Sequence, residues 1–339
     1  MPPRAASRPS STCRTRPCWH SRATTSARSP STRSNTPNAC AGRPLQNGGM
    51  RTLAAFCLCM GLWATPAQAI DLAPLWDFAR PEVSEQRFRA ALADAPGADA
   101  LILLTQIARS QGLRQDFDGA RLTLQAIAGR VGTASAEAQV RYHLERGRTY
   151  ASATHPPPLL TPEALQQARQ AFERAFELAR AAQLDGLAID AIHMFAFVDQ
   201  APADQLKWGL AALDVSLGSQ QPQARRWEPS IRNNVGYALH QLGRYDEALS
   251  QFQQALALRE QGTNRQATFV AKWMVAWTLR SLGRNDEALR IQLQLEQQAD
   301  ASGTPDPHVF EELEALYRGQ GDQAKAQHYA QRQAEASRR

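Results

Sequence analysis

Hydrophobic residues recur at steps of three and four along residues 229–262, the spacing that lines one face of an α-helix. The apolar positions of this stretch are Ile231, Val235, Ala238, Leu239 and Leu242, followed by Ala248, Phe252, Ala255 and Leu256. Gly243 lies between the two runs, and glycine takes the left-handed conformation that ends many helices without a steric cost. The pattern therefore predicts two amphipathic helices joined by a tight turn at Gly243.

The same pattern recurs on both sides of this stretch. Leu-Gly-Arg-Tyr-Asp-Glu-Ala-Leu at 242–249 returns as Leu-Gly-Arg-Asn-Asp-Glu-Ala-Leu at 282–289, an interval of 40 residues. Further copies of the second helix begin at the small residues Ala120, Ala168 and Ala326, and a poorer copy runs through Trp208. Half a repeat lies around Phe88. Because one such pair cannot bury its own apolar faces, we expect the pairs to stack on one another.

The hydrophobic period and the turn residues predict six helix pairs after the half repeat. Their predicted bounds are 99–112 with 116–130, 135–152 with 162–182, 185–199 with 202–217, 229–242 with 245–261, 266–282 with 285–300, and 307–319 with 322–336. Pro162, Pro202 and Pro307 each fall at a first helical position, which suits proline. No run alternates in hydrophobicity for long enough to form a strand, so the predicted fold class is all-α.

The helix pair at 229–262 resembles a known repeat. The residues that carry the resemblance to the tetratricopeptide repeat (TPR) family are Val235, Gly236, Gly243, Tyr245, Ala248, Phe252 and Ala255. The resemblance extends over most of residues 83–338. It implies that 70–339 is a right-handed α-solenoid of about six helix-turn-helix repeats, with a concave groove that binds a protein or peptide.

The resemblance also implies which residues face the groove, since the residue after the small position of each first helix does so in the family. These residues are Arg109, Arg148, His193, Tyr237, Trp277 and Ala315. One turn earlier the same face carries Thr105, Leu144, Ile189, Asn233, Trp273 and Glu311. The stripe runs from cationic to aromatic. We expect it to receive an acidic end of the partner near Arg109 and Arg148, and an apolar anchor near the tryptophans.

Trp273 and Trp277 lie four residues apart on one helical face, with Arg280 one turn further and with Tyr237 and His240 on the preceding repeat. Large aromatic residues with an arginine are typical of binding hot spots. The alternative interpretation is that both tryptophans belong to the core between repeats.

Asn234 falls where peptide-binding TPR proteins often carry an asparagine that bonds the ligand main chain, so Asn233 and Asn234 are candidates for that role. The carboxylate clamp of the same family requires lysine and asparagine in successive first helices. Lys272 is the only lysine in such a helix, and Thr105 and Leu144 stand where clamp residues are expected. We therefore do not expect the clamp function.

Residues 1–49 are rich in Arg, Ser, Thr and Pro and contain no acidic residue, so we expect them to be disordered. Because a signal peptide belongs at an N-terminus and one is predicted at 50–69, we also expect that the start codon was assigned too far upstream. Residues 50–69 have a basic start, a short apolar run and Ala-Gln-Ala at the end, which predicts a signal peptide. An authentic N-terminal extension is the alternative. The apolar run is too short for an ordinary membrane span, and we expect no membrane insertion of the mature chain.

Cleavage after Ala69 changes the composition. It removes nine arginines and all five cysteines, and it changes the formal net charge from +6 to −3. The basic charge of the whole chain is therefore no argument for nucleic-acid binding. A mature chain without cysteine suits an oxidising compartment, and arginine-rich, lysine-poor usage indicates a GC-rich bacterial genome. We expect a periplasmic location, with secretion as the second choice.

No catalytic signature accompanies the repeats. The sequence after Ala69 has no glycine-rich phosphate loop, His-Glu-x-x-His motif or Gly-x-Ser-x-Gly motif, and its histidines are scattered. We expect no enzyme activity, no cofactor and no metal site, and we interpret His155 as an exposed loop residue. The expected function is a non-catalytic protein- or peptide-binding scaffold. The alternatives are a self-assembling or spacer component of an envelope complex, with 322–336 capping or dimerising, and, more weakly, an enzyme using the loop 153–160.

Overall fold

The computed structural model describes residues 70–338. Every regular element in that range is helical, and the range contains no strand. The extension predicted at 1–49 and the signal peptide predicted at 50–69 lie outside the described residues. None of the helices in 70–338 combines the length and the apolar character that crossing a bilayer requires.

Fifteen α-helices, with three short 3₁₀ segments, make up the described chain. They are α1 Pro81–Leu92, α2 Gly97–Leu113, α3 Phe117–Gln125, α4 Ala128–Val131, α5 Ala136–Arg148, α6 Pro162–Ala181, α7 Asp185–Met194, α8 Pro202–Gly218, α9 Pro222–Arg225, α10 Glu228–Gln241, α11 Tyr245–Glu260, α12 Arg265–Ser281, α13 Asn285–Ala301, α14 Pro307–Gly319 and α15 Gln323–Ala336. The 3₁₀ segments are Ala73–Leu75, Pro157–Leu159 and Phe195–Phe197.

The helices pack in sequential pairs, as predicted. Helices α2 and α3, α5 and α6, α7 and α8, α10 and α11, α12 and α13, and α14 and α15 pack within pairs. Each pair also packs on the next, through α2 on α5, α6 on α7, α8 on α10, α11 on α12 and α13 on α14. The prediction of an all-α solenoid of repeated helix pairs is confirmed.

The turn at Gly243 has the predicted geometry. Gly243 has a φ of +74°, and the equivalent Gly283 has a φ of +75°. The amide of Arg244 donates to the carbonyl of Leu239 across this turn at 2.9 Å, which satisfies a carbonyl that the end of α10 leaves unpaired. At these two turns the local sequence therefore determines where the first helix stops.

Glycine in a first helix allows a phenylalanine of the second helix to pack closely. A Cβ atom built on Gly147 would lie 2.3 Å from the Phe172 ring, and one on Gly236 would lie 2.8 Å from the Phe252 ring. Both phenylalanines are fully buried. This pairing of a small residue with a large one holds α5 on α6 and α10 on α11.

Three predicted helices are shorter in the structure. The helix predicted at 116–130 is divided into α3, which ends at Gln125, and α4. Helix α5 ends at Arg148, and α7 ends at Met194 where 185–199 was predicted. The chain turns after Met194 because Phe195 stacks on Trp208, with ring centroids 4.2 Å apart, and Asp199 accepts a hydrogen bond from Trp208 Nε1 at 2.8 Å. Helix α9 in the following connection was not predicted.

The half repeat predicted around Phe88 is α1, and the segment before it folds against the repeat array. The ring of Trp76 packs edge-on against Phe88 at 4.9 Å and stacks on Phe78 at 4.5 Å. The Asp77 amide donates to Ser84 Oγ at 2.7 Å, and this hydroxyl donates back to the Asp77 carbonyl at 3.0 Å. The segment therefore covers the first end of the array.

Candidate binding groove

The first stripe predicted from the sequence has one property in common along the described chain. All six of its residues are half-buried, on α2, α5, α7, α10, α12 and α14: Arg109, Arg148, His193, Tyr237, Trp277 and Ala315. Intermediate burial is what a packed surface that still meets solvent requires. The first helices therefore carry a continuous row of partly accessible side chains.

The stripe one turn earlier differs between the two halves of the array. Thr105, Leu144 and Ile189 are at most 1 % exposed, so the prediction that they face the groove is wrong. Arg109, Arg148 and His193, four residues later on the same helices, are half-buried as predicted, so the register is correct and only the row that meets solvent is narrower than predicted. In the second half, Asn233 is half-buried and Glu311 is exposed.

Arg109 and Arg148 belong to a charged cluster that joins three first helices. Arg148 donates to Glu145 at 2.6 Å and to Asp190 at 2.5 Å. Arg109 lies 3.4 Å from Glu145 and 3.7 Å from Asp190. Two positive and two negative charges therefore meet between α2, α5 and α7, and sequence analysis identified only the positive ones.

The environment of this cluster fixes its charge state. Burial opposes ionisation of Asp190, but Arg148 and Arg109 outweigh it and hold the pKa of Asp190 at about 2. Burial lowers the pKa of Arg109, whereas for Arg148 the two carboxylates outweigh burial and raise the pKa. Both arginines stay charged and paired at neutral pH. An acidic partner segment would have to compete with Glu145 and Asp190 here.

The N-terminal segment also covers Arg109. Its guanidinium lies 5.6 Å from the ring centroid of Trp76 and 5.8 Å from that of Phe78, within the range of a cation–π contact. Arg109 is thus enclosed by aromatic rings on one side and carboxylates on the other. At the arginine end of the stripe, much of the Arg109 side chain is therefore engaged in contacts within the chain.

The aromatic end is built from α10, α12 and α14. The Trp277 ring lies 6.0 Å from Tyr237, 5.6 Å from Trp273 and 3.4 Å from His240, with interplanar angles between 19° and 23°. The Trp273 ring meets His308 edge-on at 6.2 Å. We call these five rings, Tyr237, His240, Trp273, Trp277 and His308, the aromatic surface.

The two tryptophans differ in exposure. Trp273 is 8 % exposed and packs with the core, so the alternative interpretation applies to it, whereas Trp277 and Tyr237 are half-buried. The accessible part of the aromatic surface is therefore formed by Tyr237, Trp277 and His308, from three successive repeats. Such rings supply a large contact area with few rotatable bonds.

The ring of His240 packs face to face against the ring of Trp277. Its Nε2 shares a hydrogen bond with Ser281 Oγ at 2.9 Å, which connects α10 to α12. Burial, followed by the charge of Arg280, lowers the pKa of His240 to about 4. The imidazole is neutral at physiological pH and acts as an apolar ring with one polar contact.

Arg280 is also paired within the protein. It makes a two-pronged contact with Glu312 of α14, at 2.7 and 2.8 Å. Burial raises the pKa of Glu312 in spite of Arg280, and the hydrogen bond to Glu312 raises the pKa of Arg280. This pair joins α12 to α14 and was not predicted, since Glu312 lies on a different repeat.

The remaining candidates are separated by their surroundings. His193 lies among aromatic rings, 5.6 Å from Trp227 and 6.1 Å from Phe197. Asn234 is exposed and Asn233 half-buried, and neither side-chain amide forms a hydrogen bond with another residue of 70–338. The two asparagines can therefore bond a ligand main chain without breaking an internal contact.

The interpretation of His155 as an exposed loop residue is wrong. It is half-buried and stacks on Phe117 at 3.8 Å, with its ring nitrogens 2.8 Å from Ser152 Oγ and 3.2 Å from the Thr149 carbonyl. These contacts tie the proline-rich loop to the first repeats. Across the described range, no three His, Cys, Asp or Glu residues are grouped so that they could hold a metal ion.

Comparison with solved structures finds a similar chain in the crystal structure of BtubC (BKLC) from P. vanneervenii. The identity is 14 % and the TM-score 0.37, over 79 % of this chain and 91 % of that one. The search of curated proteins finds no match. Residues 227–299, which hold α10 to α13 and most of the aromatic surface, match the family model described as tetratricopeptide repeat. With helix pairs packed in series on either side of these residues, the match supports a tetratricopeptide repeat protein.

Proposed function

We propose that the protein is a non-catalytic scaffold that binds a partner protein or peptide in the groove formed by its first helices. Repeats of this family generally mediate protein–protein interaction, and scaffolds built from them are generally non-catalytic. The observation that carries the proposal is the half-buried pair Tyr237 and Trp277, which meet across two repeats at 6.0 Å. Aromatic side chains held rigidly at a groove are typical binding anchors.

The contact region of the proposed partner is the aromatic surface together with Asn233 and Asn234. The ring of Trp277 is fixed by His240, so it loses little conformational entropy when a partner covers it. Arg109, Arg148 and Arg280 contribute by holding successive repeats in register, because their charges are used within the chain. His193 extends the groove between the two ends.

Site-specific photocrosslinking tests the groove. A benzophenone amino acid replaces Asn234 in one protein and Leu122 of α3, which is 67 % exposed, in the other. Illumination in the native envelope should give a partner adduct from position 234 and none from position 122. The double variant Tyr237→Ala/Trp277→Ala should reduce the yield of the adduct from position 234. The control variant Leu217→Ala, at an exposed position of α8, should leave that yield unchanged. Circular dichroism shows whether each variant is folded.

The same experiment distinguishes the alternative of a self-assembling or spacer component. Adducts of twice the chain mass, with a molar mass by light scattering that rises with concentration, would replace the partner proposal with self-assembly. If positions 234 and 122 gave adducts in equal yield, the partner would not bind specifically in the groove.

The proposed location is the bacterial periplasm, with export directed by residues 50–69. The motif Ala67-Gln68-Ala69 supports cleavage before Ile70. N-terminal sequencing of the exported protein is the test. A first residue other than Ile70, or a cytoplasmic protein that keeps residues 50–69, would contradict the proposal.

A further inference from the structure

A half-exposed carboxylate borders the aromatic surface. Glu311 of α14 lies 3.7 Å from the Nδ1 of His308, and the ring of His308 lies 6.2 Å from that of Trp273. The side chain of Glu311 is 51 % exposed. The polar contact with His308, against a smaller effect of burial, lowers the pKa of Glu311, so this carboxylate is ionised at neutral pH.

The nearby Arg280 is engaged by a different carboxylate than Glu311. Both carboxylate oxygens of Glu312 are occupied by Arg280, and Glu312 itself is buried. Arg280 therefore compensates Glu312 first. Glu311 is met by His308, whose pKa it raises, and it is the most exposed carboxylate of the cluster formed by Arg280, His308, Glu311 and Glu312.

The opposite end of the groove carries no matching excess of positive charge. Arg148 is 12 % exposed and its charge is met by Asp190 and Glu145, while Trp76 and Phe78 cover Arg109. Charge complementarity for a partner along the described groove is therefore concentrated at the aromatic end, and its sign calls for a cation.

We infer that the aromatic surface receives a basic segment of the partner, in which an arginine or lysine stands beside an apolar residue. The cationic group pairs with Glu311 at the His308 end of the aromatic surface, and the apolar neighbour packs on Trp277 and Tyr237. Aromatic rings attract cations through their faces, and a nearby carboxylate adds to this attraction. This inference rests on the proposed function, that the groove binds a peptide segment.

Selection from a phage library of random twelve-residue peptides tests the inference without assuming a sequence. The full chain is the bait, with Glu311→Gln and Trp277→Ala as groove variants and Glu82→Gln on α1 as the matched control. Glu82 is exposed and lies at the other end of the array. Selected peptides are then synthesised, and their affinities are measured by fluorescence anisotropy at 50 and 300 mM salt.

The expected result is enrichment of arginine and lysine next to aromatic or aliphatic residues. Such peptides should bind Glu311→Gln about 3–10-fold more weakly, bind Trp277→Ala more weakly still, and bind Glu82→Gln as they bind the unmodified chain. The Glu311→Gln effect should shrink at high salt because of screening.

Acidic or uncharged selected peptides that lose affinity on Trp277→Ala would overturn the basic-partner inference while leaving peptide binding in the groove intact. Basic peptides insensitive to Glu311→Gln would do the same. Failure to select any peptide that depends on Trp277 would overturn the proposed function, and the inference with it.

Discussion

The imidazole of His240 lies face to face with the indole of Trp277, with ring centroids 3.4 Å apart and planes inclined by 19°. His240 belongs to α10 and Trp277 to α12, so the contact joins two repeats. A protonated imidazole in this position would be desolvated and would stand near Arg280. The stability of this part of the array therefore depends on His240 remaining neutral.

This dependence predicts a loss of stability at acid pH. The pKa of His240 is about 4 in the folded chain and 6.5 for an unperturbed histidine, so the unfolded state takes up the proton first. The free energy of unfolding should fall as the pH drops from about 6.5 to about 4, by at most about 3 kcal/mol for this residue. The stability contributed by neutral His240 is fully present above pH 6.5.

Thermal unfolding at pH 7.5, 6.0 and 4.5 measures the effect. The variant His240→Gln keeps a polar group for Ser281 and does not titrate. Its Tm should therefore lie below that of the unmodified chain at pH 7.5, and the difference between the two Tm values should become smaller as the pH falls. His143, whose pKa burial also lowers to about 4, is present in both proteins and cancels in the comparison. A deficit that is constant across pH would contradict this account.

A second prediction concerns the close packing of Gly147 on Phe172. An alanine Cβ at position 147 would lie 2.3 Å from the buried ring, so Gly147→Ala should lower the free energy of unfolding by about 1–3 kcal/mol. Gly112→Ala is the control, because no atom lies within 4 Å of the added methyl group. It should be neutral or stabilise α2 by up to about 1 kcal/mol. Urea denaturation distinguishes the two, and equal effects would refute the packing argument.

The helix pairs were predictable from sequence because their determinants are local. The hydrophobic period fixes each helix, and Gly243 and Gly283 at positive φ fix the turns. The row of half-buried residues through Tyr237 and Trp277 follows from the small positions of the repeat, which reappear at a nearly constant interval there.

The partners of the charged candidates were not predictable in the same way. Glu145 precedes Arg148 by one helical turn and could have been suspected, but Asp190 and Glu312 come from other repeats, where the interval varies. Thr105 and Leu144 are in the core although Arg109 and Arg148, four residues later on the same helices, are half-buried, so the repeat pattern gives the helical register but not the width of the accessible face. Contacts between distant repeats depend on packing, which the repeat pattern does not specify.

A third prediction concerns Gln292, which occupies in α13 the place that Phe252 has in α11. Gln292 is fully buried, and neither its Nε2 nor its Oε1 has a hydrogen-bond partner among residues 70–338. Gln292→Met removes two unpaired polar atoms at similar volume and should raise the free energy of unfolding by about 1–2 kcal/mol. The expected change in Tm is about 2–4 °C per kcal/mol. Gln292→Ala removes the same atoms but leaves a cavity and should destabilise the chain, so a loss of stability in both variants would contradict the argument.

The last prediction follows from the cluster of Arg148, Asp190 and Glu145. Arg148→Met leaves two buried carboxylates with only the longer contacts of Arg109, so it should cost about 3–5 kcal/mol in the free energy of unfolding. Arg244→Met, which breaks an exposed pair with Glu247, should leave the free energy of unfolding nearly unchanged because solvent screens that pair. Urea denaturation followed by circular dichroism compares the two variants. If Arg148→Met were as stable as Arg244→Met, the cluster would not hold the first repeats together, and Arg148 would again be a candidate for direct contact with a partner.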